Sequence, residues 1–214
     1  MPTAEDCDRN KQHVILATYR CFKRYGIDGT TQKRIAQEAC LTPRSIQRYF
    51  KDRDELTLET TIYMLRLYDD YVHAYIARKK QPGMTALDEV LLYLECQKEI
   101  YLERPGFFLL LNEMDVYYKR HKLHYKALVP KLKQQETMRP FLQSILERGA
   151  AEGSIRPLMA VEELRELIIA TYTGIFYHFT SLHLETCLEE RRREVTIIDT
   201  YIRYLESVLL VREI

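Results

Sequence analysis

The sequence predicts an all-α protein of about nine helices, and three observations carry that prediction. Apolar residues recur at spacings of three and four along most of the 214 residues, and no segment shows the alternation of a half-buried strand. Proline and glycine stand at the clearest breaks, as in Gln81-Pro82-Gly83 and Arg104-Pro105-Gly106. A hydrophobic content of 46% with 29% charged residues is that of an ordinary globular protein. We expect an N-terminal three-helix domain, residues 1–53, followed by a larger helical domain, residues 54–214.

The first predicted helix runs from about Asp8 to Tyr25. Val14 and Cys21 are among the apolar residues that recur at helical spacing and would face the core. Gly26 follows directly, and a glycine in the left-handed conformation is a common end for a helix. This helix is expected to support the two short helices that come next.

Residues 30–56 predict two short helices joined by a tight bend. Thr31 can accept a hydrogen bond as the N-cap of the first, and Cys40-Leu41 forms the bend. Thr42 then acts as a second N-cap, and Pro43 takes the first helical position, where its missing N–H costs nothing. The start of the second short helix is therefore sharply specified.

The second short helix separates an apolar face from a polar one. Ile46 and Phe50, four residues apart, can pack inward, whereas Arg44, Gln47 and Arg48 remain outside. Between residues 31 and 53 stand six basic and two acidic side chains, a local balance of +4 in a chain whose net charge is only +1. Because this donor-rich face matches the acceptors of a DNA groove, the sequence predicts local DNA binding.

Longer helices follow. The fourth begins near residues 52–55, whose acidic side chains favour a helix N-terminus, and ends at Gln81. Further helices are predicted over residues 84–103, 107–121, 123–152, 161–183 and 191–212. Pro130 and Pro140 should kink or split the longest of these.

The last two helices carry more apolar surface than one side of a monomer readily covers. A homodimer would bury that surface. The alternative is that both helices simply close their own domain. The predicted interface residues are Leu164, Ile168, Tyr172, Ile175, Val195, Ile198, Ile202, Leu205 and Leu209.

Cysteine and hydropathy patterns place the chain in a reducing cytoplasm. The five cysteines form no CxxC pair, no hydrophobic leader precedes them, and we expect no disulfide. The longest apolar runs fall far short of the roughly 20 residues that a membrane-spanning helix needs, so no membrane partner is expected.

Metal and catalytic motifs are not found. The histidine pairs His121/His124 and His178/His183 are three and five residues apart, whereas a helical zinc pair usually sits four apart. Seven glycines form neither a phosphate-binding loop nor a nucleophile elbow. We therefore predict no metal, no cofactor and no enzymatic activity. The weaker alternative is an all-α enzyme built around Glu113, Asp115 and His178.

The N-terminal residues resemble the TetR family of transcriptional regulators. The resemblance covers residues 13–56 and rests on ordered features: Phe22 and Gly26 closing the first helix, the Thr30-Thr31 cap, Ile35-Ala36, and the continuous run from Ala39 to Arg53. It implies a helix-turn-helix regulator that binds a palindromic operator as a dimer.

The resemblance also implies DNA contacts. Thr31 and Thr42 would meet phosphates and Tyr49 the backbone, while Arg53 stands where a phosphate-binding lysine is usual. The residues nearest the base edges would be Pro43, Arg44, Ser45 and Gln47. Arginine can read guanine and glutamine can read adenine through paired hydrogen bonds. The full predicted set is Thr31, Lys33, Arg34, Thr42, Pro43, Arg44, Ser45, Gln47, Arg48, Tyr49 and Arg53.

Three positions depart from the family pattern. Arg44 replaces a common glycine, Gln47 a common tyrosine, and Cys40 the glycine of the turn. The base preference of relatives therefore does not transfer to this chain. A long cation at position 44 either reads a guanine, which we favour, or holds the helix slightly farther from the DNA.

The resemblance further implies a repressor released from its operator when a small molecule binds the C-terminal domain and moves the fourth helix. Thirteen of the 16 tyrosines follow residue 60, and aromatic walls suit a flat, apolar ligand. The predicted ligand-binding residues are Tyr68, Tyr101, Phe108, Tyr117, Tyr172 and Phe176. In the main alternative, the C-terminal domain docks a protein partner, which a solid core without a cavity would indicate.

Overall fold

The computed structural model describes residues 4–104, 106–122, 138–156, 158–182 and 188–210. Within these ranges the secondary structure is helical, apart from one isolated β-bridge between Ile155 and Leu210. None of the described helices is long and apolar enough to cross a membrane. The helices are α1 (Ala4–Gly29), α2 (Gln32–Glu38), α3 (Pro43–Gln47), α4 (Arg53–Lys79), α5 (Ala86–Glu103), α6 (Gly106–Arg120), α7 (Met138–Glu152), α8 (Val161–Leu182) and α9 (Leu188–Leu209).

The predicted all-α fold is confirmed, and the predicted helix bounds agree with the observed ones to within a few residues. Residues 123–137 of the longest predicted helix, including Pro130, lie outside the described residues, as do His124 and His183. Pro140 was expected to interrupt that helix, but it is the third residue of α7. A proline is tolerated in the first turn of a helix because the N–H groups there have no partner within the helix.

The contacts divide the chain into two compact units. Of the described residues, the first unit contains 4–68 and 110–122, and the second contains 69–104, 106–109, 138–156, 158–182 and 188–210. The first unit thus includes α1 to α3, the N-terminal part of α4 and most of α6. The functional boundary after residue 53 remains a prediction.

Part of the core of the first unit is one cluster of buried apolar side chains. Ile35 and Ile46 are buried together with Val14, Cys21 and Phe50, all at 5% exposure or less. This cluster joins α1 to α2 and α3, so the short helices are held by packing rather than by their own propensity.

In the second unit, α5 packs against α7 and α9, and α7 packs against α8. The side chain of Thr85 and that of Asp88 cap the start of α5 reciprocally. Glu89 is buried, and its carboxylate pairs with Lys80 at 2.8 Å and with Arg148 at 2.5 Å. Burial alone would raise the pKa of Glu89, but the hydrogen bonds from these two cations outweigh it and lower the pKa.

Candidate DNA-binding surface

Both predicted N-caps of the short helices are confirmed. The Thr31 hydroxyl accepts a hydrogen bond from the backbone N–H of Arg34 at 3.3 Å. The Thr42 hydroxyl accepts one from the N–H of Ser45 at 3.2 Å, and Pro43 occupies the first turn of α3. The two helices therefore begin where the sequence places them.

The bend between α2 and α3 depends on a residue in the left-handed region. Cys40 has φ +52°, a conformation that glycine adopts freely and that costs other residues about 1–2 kcal/mol. The N–H of Leu41 donates to the carbonyl of Ala36 at 2.9 Å, which closes the turn. Cys40 thus occupies a position whose backbone conformation favours glycine. Packing elsewhere in the unit must offset this strain.

The predicted division of α3 into two faces is also observed. Ile46 and Phe50 are buried, and Tyr49 is half-buried against the same cluster. Lys33 of α2 is exposed, as are Arg44 and Gln47 of α3. Arg48, directly after α3, is exposed too. In the described part of the chain, none of the side chains of Lys33, Arg44, Gln47 and Arg48 makes a hydrogen bond or an ion pair, so their donors are available to a ligand with many acceptors.

Arg34 and Arg53, also predicted to contact DNA, are already bound to the protein. The guanidinium of Arg34 donates to the carbonyl of Gly29 and lies 4.2 Å from the ring centre of Tyr25. The guanidinium of Arg53 donates to the carbonyl of Ile27 at 2.6 Å. Both side chains remain exposed, so each is a cation held in place by the end of α1.

Sequence reasoning missed the role of α6 in this unit. Its Tyr117 hydroxyl donates to the carboxylate of Asp54 at 2.6 Å, and the Tyr117 ring stacks on His121 with centres 4.0 Å apart. Burial, followed by the hydrogen bond to Asp54, raises the pKa of Tyr117 to about 12. The Glu113 carboxylate accepts from the N–H of Ile27 at 2.9 Å. Nothing in the sequence pattern pairs residues so far apart in the chain.

Four of the six predicted ligand-binding residues form one aromatic cluster in the second unit. The Phe176 ring stacks on Tyr101 at 5.1 Å and lies 4.4 Å from Phe108 and 6.0 Å from Tyr172, measured between centres. Tyr68 and Tyr117 belong to the first unit.

The aromatic cluster fills its own interior. Its members are at most 7% exposed, and the void recorded beside Tyr172 and Phe176 has a volume of about 10 Å³, less than one small ligand needs. A larger cavity of about 270 Å³ lies in the first unit, between α1, α2, α3 and α4, with Phe22, Ile46 and Leu56 among its walls. In the described residues, the expected aromatic pocket is therefore closed.

The residues predicted for a dimer interface mostly point into the monomer. Seven of them are buried within their own unit: Leu164, Ile168, Tyr172, Ile198, Ile202, Leu205 and Leu209. Ile175 and Val195 are partly buried. The apolar side chains that α8 and α9 leave exposed are Leu167, Ile197 and Tyr204, with exposed fractions of 47%, 42% and 62%. An interface on these helices would therefore use exposed side chains that are not among the predicted residues.

The residues of the alternative enzyme site are divided between the two units. Glu113 and Asp115 belong to the first unit, and His178 belongs to the second. Among the residues that the structure describes, no three histidine, cysteine, aspartate or glutamate side chains are grouped so as to hold a metal ion.

Comparison with known proteins agrees with the helix-turn-helix geometry. Residues 14–60 match the family model described as "Bacterial regulatory proteins, tetR family". The HTH-type transcriptional regulator BetI of Burkholderia lata is 31% identical over 83 residues, which are 38% of this chain and 43% of that regulator. The matched segment therefore spans less than half the length of that curated relative.

Solved structures resemble the fold over nearly the whole chain. A TetR transcription regulator from Haloarcula marismortui matches with a TM-score of 0.72 and 18% identity, covering 95% of this chain and 100% of that one. FadR from Bacillus subtilis, solved in complex with stearoyl-CoA, matches with a TM-score of 0.67 and 15% identity, covering 92% and 98%. At such identities the likeness shows the shared fold.

Two capped short helices, a tight turn and an exposed donor-rich face define a regulatory protein of the helix-turn-helix class. The family match over this same region and the shared fold beyond it make the assignment specific. Residues 14–60 match the DNA-binding domain of the TetR family of transcriptional regulators, and the described helices beyond them share the fold of solved TetR-family structures.

Proposed function

We propose that this protein recognises a specific operator sequence with α3 and regulates transcription from it. The observation that supports this most directly is the set of unpartnered donors on and beside α3, Arg44, Gln47 and Arg48, on a helix whose start is fixed by Thr42. Paired hydrogen bonds from Arg44 would read a guanine and those from Gln47 an adenine.

The remaining predicted contacts would position the protein on the DNA backbone. Lys33, Arg34 and Arg53 are exposed cations in a locally basic segment, and phosphate contacts from such side chains set register without reading sequence. The hydroxyls of Thr31, Thr42 and Tyr49 are suited to the same task, whereas Ser45 of α3 would lie near the base edges. Pro43 lies beside Arg44 and is exposed, so it would approach a base edge or a sugar.

We further propose that the protein acts as a homodimer in the cytoplasm. Helices α8 and α9 expose three apolar side chains, Leu167, Ile197 and Tyr204. A second copy of the protein would cover them. Members of this family typically bind DNA as dimers. Dimeric helix-turn-helix proteins require half-sites about one helical turn apart or a multiple of it, so the operator should be palindromic.

A small-molecule effector would release the protein from its operator. We propose no catalytic activity. The support is the aromatic cluster of the second unit and the likeness of the fold to FadR, which was solved with a bound acyl-CoA. Because the cluster is closed in the described residues, an effector that binds there must displace side chains such as Phe176. The closed core also favours a second candidate, a protein partner that docks on the C-terminal domain.

The deciding experiment is a selection from random oligonucleotides with the purified protein, sequenced and repeated at higher salt. We expect a palindromic motif that persists as salt rises, because base contacts discriminate sequences after phosphate attraction has weakened. Binding that is wholly salt-sensitive and blind to sequence would contradict the proposed operator recognition. An enriched single half-site would contradict the dimer.

A further inference from the structure

The backbone of Ile27 is held from both sides by charged side chains. Its N–H donates to the Glu113 carboxylate at 2.9 Å, and its carbonyl accepts from the Arg53 guanidinium at 2.6 Å. Glu113 comes from α6 and Arg53 from the start of α4, and all three residues belong to the first unit. One buried residue thus links a carboxylate of α6 to an exposed cation of the DNA-binding surface.

The break in α1 explains why Ile27 needs an acceptor from elsewhere. Gly26 has φ 69° and ψ 172°, so the helical hydrogen-bond pattern is interrupted directly before Ile27. Ile27 is only 1% exposed, and a buried N–H without a partner would be costly. A Cβ at position 26 would lie 3.0 Å from the Glu113 carboxylate oxygen. Glycine therefore allows both the sharp bend and the close approach of Glu113.

A second connection between α6 and this segment is weaker. Arg120 pairs with Asp28 at 3.0 Å, but their side chains are 66% and 73% exposed. Exposed pairs of this kind contribute little because water screens them. The hydrogen bond from a buried N–H to the Glu113 carboxylate is charge-assisted and therefore stronger. Of the two, Glu113 is the residue that can fix the position of Ile27.

We propose that Glu113 is a positioning residue for DNA binding, acting through Ile27 on Arg53. By fixing the Ile27 peptide, Glu113 fixes the carbonyl that holds the Arg53 guanidinium, so that a phosphate meets a preorganised cation. A side chain already held in place loses less conformational entropy when it binds. This inference rests on the proposed operator binding and on Arg53 as one of its phosphate contacts.

The direction of the change in DNA affinity distinguishes a positioning role of Glu113 from a purely electrostatic one. Replacing Glu113 by alanine removes a negative charge, which by itself would strengthen attraction to DNA. Positioning predicts the opposite: about tenfold weaker binding, equal for all operator variants, with the slope of log affinity against log salt reduced by about 0.9 for the lost phosphate contact. Glu113→Gln retains an oxygen acceptor for the Ile27 N–H and should restore the wild-type slope.

The test uses the full-length protein and the selected operator, with fluorescence anisotropy over a range of salt concentrations. Concentrations of active protein come from stoichiometric titration, so that partial unfolding does not alter the measured slope. Asp70→Ala is the matched control, since it removes one exposed carboxylate from α4. Arg53→Ala added to Glu113→Ala should weaken binding no further, because the two changes remove the same contact.

The possible outcomes are distinct. A wild-type salt slope in Glu113→Ala, or full additivity with Arg53→Ala, overturns the positioning role while leaving operator binding intact. If the wild-type protein binds no DNA, the proposed function fails and this inference fails with it. If Glu113→Ala does not fold, Glu113→Asp is used in the same measurement. The shorter aspartate side chain cannot reach the N–H of Ile27, so the same reduced salt slope is expected.

Discussion

The recognition helix α3 and the aromatic cluster of the second unit use their polar groups in opposite ways. Arg44 and Gln47 of α3 point into solvent without a partner in the described residues. In the cluster, the hydroxyls of Tyr93 and Tyr172 are 2.8 Å apart, and the Tyr101 hydroxyl donates to Glu194 at 2.6 Å. The recognition helix keeps its donors for an external partner, whereas the cluster pairs the hydroxyls of Tyr93, Tyr101 and Tyr172 internally.

The difference follows from the solvent each region faces. An exposed donor bonds to water until a ligand replaces that water, so leaving it unpartnered costs little. A buried hydroxyl without a partner loses the full hydration energy, so the interior must pair its polar groups. This contrast predicts that changes in the cluster act mainly on stability and changes in α3 mainly on DNA affinity.

The largest expected effect is in the cluster. Phe176 is 1% exposed and contacts the rings of Tyr101, Phe108 and Tyr172. Phe176→Ala should therefore lower the free energy of unfolding by about 3–5 kcal/mol, measured by urea denaturation. The cavity it creates is apolar, and added benzene or indole should restore part of the loss, as ligands of the folded state do.

Phe107→Ala is the matched control, because it removes the same type of ring from a half-buried position in α6. Phe107→Ala should lower the free energy of unfolding by less than Phe176→Ala does, and added benzene should not restore its stability. If benzene restored the stability of both variants, or of neither, the cluster would not be a closed core that accepts an aromatic ligand after a side chain is removed.

Arg44→Ala should have an intermediate effect, confined to DNA binding. We expect affinity for the preferred operator to fall by about 1–3 kcal/mol, with discrimination relaxed at one base pair, because a bidentate guanine contact is lost. Arg44→Lys keeps the charge but lacks the planar fork, so it should relax discrimination at the same base pair. Anisotropy titrations with single-base operator variants measure both.

Arg53→Ala provides the comparison for Arg44. Its loss should be the same for every operator variant, because phosphates carry no sequence information. If both arginine variants lost the same affinity for every operator sequence, Arg44 would read no base. The division between base-reading and positioning contacts would then be wrong.

The parts of the fold that sequence predicted well are those encoded locally. The caps at Thr31 and Thr42, the first-turn Pro43 and the break at Gly26 each depend on a few neighbouring residues, and all are observed. Helical spacing also gave the inward side chains of α3 correctly, because a single short helix has few ways to pack.

The parts that sequence did not predict depend on contacts between distant residues. Periodicity identified apolar positions such as Leu164 and Ile198, but it cannot tell a side chain that faces its own core from one that faces a second copy. Glu113 gave no local signal, since its partner Ile27 lies 86 residues away and contributes only a backbone N–H. The aromatic residues were recognised as a group, but whether they enclose a cavity is set by packing.

The smallest expected effect comes from the loss of a helix cap, a change that can be made in the same way in both regions. The hydroxyls of Thr42 and Thr85 each accept a hydrogen bond from the N–H three residues on, at 3.2 Å in both cases. Thr42→Ala and Thr85→Ala should each lower the free energy of unfolding by about 1 kcal/mol, and the serine variants should restore most of it. Only Thr42→Ala should also weaken operator binding, because it loosens the helix that carries Arg44 and removes a proposed phosphate contact. If Thr85→Ala, in the second unit, weakened operator binding as much at equal stability, the recognition helix and the helical core would not have the separate roles proposed for them.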